Sequence, residues 1–279
     1  MPDILRRIAI IGAGAVGQAL GRGLIAAGIY APENIIAADI DKAKLGAFQE
    51  YSGVSAAGTV EAASRSAVVV IAVKPNAVPA LLDEICDYVK PEQLVISVAA
   101  GVTTETIESH LTERVPVIRA MPNLPCAVRE GATAICRGRN AENQHVERAT
   151  SIFGSVGKVI EVPENLMSVV TGLSGSGPAF VCVAIEAMAD AGVAEGLSRQ
   201  QALTLAAQTV LGAAKLVLET NKHPAELKDM VANPKGTTIE GIKALERAGF
   251  RAALIDAIEV ATLTSEMISQ QAEQEKRRG

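Results

Sequence analysis

The sequence predicts an α/β fold, with a doubly wound, mostly parallel sheet in the first half and an all-α second half. Three observations carry this. Short apolar runs alternate with helix-period patterns from Ile8 onward. A glycine turn with G-x-G-x-x-G spacing, Gly12-Ala13-Gly14-Ala15-Val16-Gly17, follows the first run at once. After Pro163 the strand signals stop and helical periodicity takes over. These set a dinucleotide-binding domain at residues 1–164 and a helical domain at 165–279.

Residues 8–11 read as a buried parallel strand because they are uniformly apolar and end at a glycine. The helix that follows is expected over about 16–27. In the turn between them, Gly12 permits the tight bend, Gly14 lets a pyrophosphate approach the backbone, and Gly17 lets helix and strand pack closely. A second strand, 35–39, ends in Asp39, at roughly the ~20-residue distance typical of a ribose-binding acid. A carboxylate there accepts from the adenine ribose hydroxyls and repels a 2′-phosphate. Ile40 stands where an arginine would serve that phosphate, which favours NADH over NADPH, although Lys42 and Lys44 are near in sequence. A solvated acid at a strand end is the plain alternative for Asp39.

Further strands are expected at 68–73, 94–98, 115–120, 132–136 and 159–162, with helices between several of them. The sheet is therefore Rossmann-type, and its ligand belongs at the carboxyl edge. Two loops there are candidate cofactor contacts: Ala72, Val73, Lys74 and Pro75 after one strand, and Ala99, Ala100 and Gly101 after the next. Thr59 joins the expected cofactor set. Lys74 is equally readable as a surface lysine, and the Met121-Pro122-Asn123-Leu124-Pro125 loop as a stiff connection or as a wall of the crevice.

In the second half, Gly175-Ser176-Gly177-Pro178 leads into an apolar helix expected to run to about Ala191, with Pro at its first turn and Gly192 and Gly196 breaking it. Ser198 and Gln201 form a capping box for a helix to about Thr220. Two more helices are expected, from Thr238 to about Ala248 and from Arg251 to about Gln270, followed by a tail that frays into solvent. The turn Asn233-Pro234-Lys235-Gly236 runs directly into Thr237-Thr238-Ile239-Glu240. Thr237 and Glu240 read as a second capping box. The remaining N–H groups, at the positive end of the helix, suit a small anion such as a carboxylate, and Thr238 points to the same place. An ordinary capped helix after a proline turn is the alternative. Several of these helices are apolar on more than one face, which predicts a subunit interface rather than a solitary bundle.

Composition narrows the classes. At 279 residues and 49% hydrophobic, with no Trp and 3% aromatics, the core must be built from Ala, Val, Ile and Leu. The net charge of −5 argues against a nucleic-acid partner. Cys86, Cys126, Cys136 and Cys182 have no metal-like spacing and read as reduced, mostly buried thiols. The longest wholly apolar run, residues 67–73, is short for a membrane span, and the N-terminus enters a strand with no room for a signal peptide. A cytoplasmic protein with no metal and no membrane partner is expected.

Taken together, residues 171–180 (TGLSGSGPAF), 190–203, 206–215, 231–246 (VANPKGTTIEGIKALE) and 248–259, with AVKP at 72–75 and AAGV at 99–102, resemble the pyrroline-5-carboxylate reductase family over nearly the whole chain. The resemblance implies reduction of 1-pyrroline-5-carboxylate to L-proline by hydride transfer from NADH or NADPH. It implies a helical domain that interlocks in a homodimer, with larger rings, often decamers, known in the family. It assigns the substrate to Ser176, Gly177, Asn233, Lys235, Gly236, Thr237 and Thr238, with the Thr238 hydroxyl near the imine nitrogen and the partner subunit's cofactor facing that helix. Family members commonly read S-P-G-G-T-T where this chain has Asn233-Pro234-Lys235-Gly236-Thr237-Thr238, so a loop glycine has become lysine. Ala15-Val16 replaces a frequent Asn-Met, and Leu124 stands where Thr is common. A 3-hydroxyacid dehydrogenase of similar architecture needs a group to accept the hydroxyl proton. Its pattern puts a lysine where this chain has Val181. A non-catalytic cofactor-binding descendant is the remaining alternative, motivated by Asn233 and Lys235.

Overall fold

The computed structural model describes residues 7–112 and 114–278. The expected absence of a signal segment concerns residues outside that range. The described residues form two compact units. One ends at Ser176 and takes in the stretch from Val260 onward; the other is Gly177–Glu259.

The first unit is built on an eight-stranded sheet of order β3-β2-β1-β4-β5-β6-β7-β8. Its strands are β1 Ile8–Ile11, β2 Ile35–Ala38, β3 Ser55–Ala56, β4 Val68–Ile71, β5 Leu94–Ser97, β6 Val117–Met121, β7 Gly131–Arg137 and β8 Gly157–Glu161. All neighbours run parallel except β6 and β7. In β1, β2, β4 and β5 every residue is buried, the uniform burial that lets such strands read as continuous apolar runs. One core, with Leu20, Leu24, Phe48 and Phe153, includes Ile8, Ile10, Val68 and Val70. A second, with Leu82, Ile85 and Val89, includes Ala9, Ile11, Val69 and Ile71. Alternate residues of β1 and β4 thus feed two cores, and the sheet is covered on both faces.

Helices α1 Ala15–Ala26, α2 Lys42–Ser52, α3 Thr59–Ser64, α4 Val78–Ile85, α5 Thr104–His110 and α6 Asn143–Gly154 connect the strands. Asp41 caps α2 through the N–H groups of Ala43 and Lys44, and these bonds, the one from Lys44 first, hold its carboxyl below the usual range. A helical stretch then begins at Glu164 and passes through α7 Met167–Val170 into a π-turn, Thr171–Gly175. Its start is pinned by Glu164. That carboxylate accepts from the N–H (2.8 Å) and Oγ1 (2.6 Å) of Thr104 and from Nη1 of the buried Arg119 (3.1 Å). Met167 is buried against Ala134 and Cys136. Burial first, and then the charge of Glu164, push the Cys136 thiol up to about 12. Cys126 is also buried and its thiol raised by burial, whereas Cys86 is half-buried and Cys182 exposed, so the expectation of mostly buried thiols holds for Cys126 and Cys136 alone.

The second unit contains α8 Gly177–Ala194, α9 Arg199–Thr220, α10 Pro224–Val231 and α11 Thr237–Arg247. The Ser198–Gln201 capping box is present. Gly192 does not break α8. A Cβ there would lie 3.1 Å from Cβ of Ala202, so the glycine serves close packing against α9 instead. The buried residues at this contact, Ala189, Ala202 and Ala206, are small. Val183, Leu205, Leu211 and Leu218 are more than half exposed. The last helix, α12 Phe250–Arg278, runs on past Gln270 instead of fraying there. By length and composition the stretches Glu164–Ala194 and Arg199–Thr220 would suffice to cross a membrane, and only 6% and 11% of their apolar windows are buried. The short longest apolar run in the sequence hides this because single charged residues such as Glu186 and Asp190 interrupt the stretch.

Candidate active site

The cofactor candidates converge at the carboxyl edge of the sheet, where the strand order reverses between β1 and β4. Gly12 follows β1. Its N–H donates to Ala38 O (2.8 Å), while the N–H of Ala72 donates to Ile11 O (2.7 Å), so the ends of β2, β1 and β4 are laced together. The three glycines of the turn differ in what surrounds them. A Cβ on Gly12, whose φ is +114°, would lie 2.3 Å from Ala72 O, and one on Gly17 would lie 2.0 Å from Gly12 O. Both positions are filled by backbone. At Gly14 a Cβ would meet nothing within 4 Å. Gly14 is the N-cap of α1, with no side chain capping its first N–H groups and no acid in its first turn. Open space before uncapped N–H groups at the positive end of a helix fits a pyrophosphate. Ala13 is buried beside it, and Ala15 and Val16 begin the helix.

Asp39 lies just beyond β2 and is half-buried. Its Oδ2 accepts from the N–H of Ala13 (2.6 Å) and its Oδ1 from the N–H of Asp41 (2.7 Å). The acid therefore ties the glycine turn to the end of β2, a role the spacing alone did not reveal. Each oxygen retains a lone pair for a ribose hydroxyl. Ile40 beside it is fully exposed. Lys74 is exposed and precedes the short turn Pro75–Ala77 after β4, with Ala72 and Val73 half-buried behind it. Ala99, Ala100 and Gly101 follow β5, and Gly101 adopts a φ of +77° beside Ile268 and Ser269 of α12. Thr59 opens α3.

The substrate candidates fall on two segments. Ser176 ends the π-turn and Gly177 opens α8. The others surround the start of α11. Gly236 N–H donates to Asn233 O (3.0 Å), closing a tight turn whose third residue, Lys235, has a φ of +59°. That conformation favours glycine. The second capping box does not form. Gly236, extended at φ −81° and ψ 166°, is the N-cap, so Thr237 is already helical and cannot cap. The Glu240 carboxylate goes to Lys243 Nζ instead (3.1 and 2.9 Å). As a result the N–H groups of Thr237, Thr238 and Ile239 have neither an intrahelical partner nor a side-chain cap. Thr238 is half-buried among them. Among the described residues no group of His, Cys, Asp and Glu is placed to hold a metal.

Sequence reasoning missed Asn123. It is 9% exposed; its Nδ2 donates to Ser174 O (3.0 Å) and its Oδ1 accepts from the N–H of Ala132 (2.9 Å). The residue was visible only as part of a proline-rich loop.

Comparison with known proteins gives two family matches. Residues 164–268 match the family described as pyrroline-5-carboxylate reductase dimerisation, and residues 7–101 match the one described as NADP oxidoreductase, coenzyme F420-dependent. A pyrroline-5-carboxylate reductase of Methanosarcina acetivorans is 49% identical over 91% of this chain and 94% of its own length. The solved pyrroline-5-carboxylate reductase of Coxiella burnetii superposes with a TM-score of 0.88 at 37% identity, covering 94% of this chain and 98% of that one. The solved pyrroline carboxylate reductase of Plasmodium falciparum, with NADP bound, gives 0.84 at 29% identity, covering 95% of this chain and 99% of that one.

Proposed function

The chain belongs to the pyrroline-5-carboxylate reductase family, and from that premise we propose how its residues divide the work. The protein is an oxidoreductase that reduces 1-pyrroline-5-carboxylate to L-proline with NAD(P)H, the last step of proline biosynthesis. The observation that carries the assignment of roles is the pair of open helix N-termini, one at Gly14 beside the sheet edge and one at Thr237 after the Asn233–Gly236 turn.

Gly12, Ala13, Gly14, Ala15, Val16 and Gly17 hold the dinucleotide pyrophosphate through the start of α1. Asp39 receives the adenine ribose. Thr59, the Ala72–Pro75 loop and the Ala99–Gly101 loop line the rest of the cofactor cleft. Bound there, the reduced nicotinamide supplies a hydride to the imine carbon. The free N–H groups of Thr237, Thr238 and Ile239 anchor the substrate carboxylate, with Asn233, Lys235 and Gly236 shaping the turn around it. Ser176 and Gly177 contact the ring. The Thr238 hydroxyl stands at the imine nitrogen and donates to the lone pair that forms there as hydride reaches the carbon, orienting the electrophile. A protonated cyclic imine is already electrophilic, so no buried general base is required. The only demands are a carboxylate anchor and one donor, and the Thr237–Ile239 segment offers both.

We assign NADH as the preferred cofactor. Asp39 presents a carboxylate to the ribose, Asp41 beside it is held ionised, and Ile40 offers no charge to a 2′-phosphate. The expected kcat/KM with NADH exceeds that with NADPH, and Asp39→Ser narrows the ratio at least tenfold. A wild-type ratio favouring NADPH would contradict the assignment.

We further assign the exposed apolar faces of the helical half to a second copy of the chain, interlocked as the resemblance implies, with rings of such dimers as the larger assembly. Covering the exposed half or so of each Leu or Val side chain contributes about 1 kcal/mol before the costs of association, and Val183, Leu205, Leu211 and Leu218 are all available. Sedimentation at micromolar concentration is expected to give dimers or multiples of dimers; a stable monomer would contradict this. A functional boundary near residue 164 and a cytoplasmic location complete the proposal.

A further inference from the structure

The chain does something unusual just before Ser176. Over Thr171–Gly175 it is π-helical, and the N–H of Ser176 reaches Thr171 O at 2.8 Å, five residues back. Such single wide turns often mark functional segments. The sequence supplies a reason for part of it. In an α-helix the Ser174 carbonyl would receive the N–H of the residue four positions on, which is Pro178 and has none. Ser174 cannot repair this with its own hydroxyl, which donates to Val170 O at 3.0 Å. The amide of Asn123 provides a donor, with Nδ2 3.0 Å from Ser174 O. The other side of that amide is fixed by Ala132, whose N–H can meet only an acceptor, so the orientation of the amide follows from its partners. Asn123 is nine-tenths buried, and the far end of the same helical stretch is pinned by Glu164. The helical stretch 164–175 is thus held at both ends, with Asn123 on the π-turn, and its exit delivers Ser176.

We propose that Asn123 is a positioning residue for the reaction, fixing the π-turn so that Ser176 meets the imino acid; this rests on the assignment of Ser176 to the substrate made above. Asn123 itself touches no reactant. Its loss therefore moves the KM for pyrroline-5-carboxylate and leaves cofactor affinity alone.

Asn123→Asp tests this, because the new side chain is a donor to Ser174 O only when protonated. Its KM for pyrroline-5-carboxylate, divided by the wild-type KM at each pH, is expected to be raised on the order of tenfold at pH 8 and to be smaller at pH 6, because burial and the facing Ser174 carbonyl favour the protonated acid. The Kd for NADH should stay within about twofold of wild type at both pH values. Pro178→Ala is the second variant. It restores an N–H at position 178, competes with Asn123 for the carbonyl and favours an ordinary helical turn, so KM should rise severalfold with no loss of thermal stability. Ser176→Ala, measured beside them, is expected to raise KM. Wild-type KM in both Asn123→Asp and Pro178→Ala, with Ser176→Ala impaired, overturns the role of Asn123 and leaves the substrate assignment standing. Wild-type KM in Ser176→Ala overturns the substrate assignment.

Discussion

Gly14→Val is expected to leave the fold intact and to weaken NAD(P)H binding on the order of 100-fold or more, about 2.7 kcal/mol. The asymmetry within the glycine turn is the reason. Gly14 has a φ of −75° and a ψ of −174°, which any residue adopts, and a Cβ there would touch nothing within 4 Å. A side chain at this position therefore begins in the open space in front of the α1 N-terminus, and valine extends into that space. Gly17→Ala should do the opposite. Its Cβ would sit 2.0 Å from Gly12 O, and backbone cannot yield as a side-chain tip can. Overpacking of this kind costs about 1–3 kcal/mol or more, so this variant should melt earlier. Thermal denaturation and cofactor titration of the two proteins separate the cases. A Gly14→Val protein that binds NADH normally would place the pyrophosphate elsewhere.

Thr238→Ala should lower kcat on the order of 100-fold, because it removes the donor to the lone pair that develops on nitrogen, an effect of the size seen for other preorganised donors. The Kd for NAD(P)H should change by less than about twofold, since the cofactor is held by the other helix N-terminus. Thr238→Ser keeps the hydroxyl and is expected to recover most of the turnover. The backbone N–H of residue 238 is unaffected by either change, so carboxylate anchoring persists and KM moves less than kcat. Equal losses in turnover and cofactor binding would show that Thr238 acts on the fold and not on the imine.

The parts of this protein legible in its sequence are those set by local physics. Strands β1, β2, β4 and β5 are buried on both sides, which forces uninterrupted apolar runs that end at the functional loops. The glycine turn declares itself because two close backbone approaches, at Gly12 and Gly17, and one space left open at Gly14 call for three missing side chains. The Ser198 cap was readable because both its partners lie within one turn. Strand β3 was not, being only Ser55–Ala56 and exposed, with no apolar signal to give. Gly192 misled because a glycine that ends a helix and one that lets two helices approach look alike until the neighbour, Ala202, is known. The Thr237–Glu240 pattern misled in a related way: Gly236 takes the cap position by its backbone conformation, and no spacing rule records that.

The site divides along the same line. Asp39 was found by its distance from the glycines, but its bond to the Ala13 N–H joins residues 26 apart. Asn123 answers an acceptor 51 residues away that is open because Pro178 lacks a hydrogen. The proline was in view from the start; which group would compensate for it was decided only by packing. Lys235 shows the reverse. The substitution for a glycine was visible in the sequence, and the structure adds that the position has a φ of +59°, so the lysine is accepted at a conformational cost of roughly 1–2 kcal/mol.

The central claim is hydride delivery to the imine carbon of 1-pyrroline-5-carboxylate, and the most direct test follows the hydride. Purified protein is given pyrroline-5-carboxylate and nicotinamide cofactor carrying deuterium at the transferable position, and the product is read by NMR. The account predicts L-proline with one deuterium at C5, formed at ordinary enzymatic rates. Tight cofactor binding without turnover, or proline whose C5 hydrogen comes from water, would contradict it.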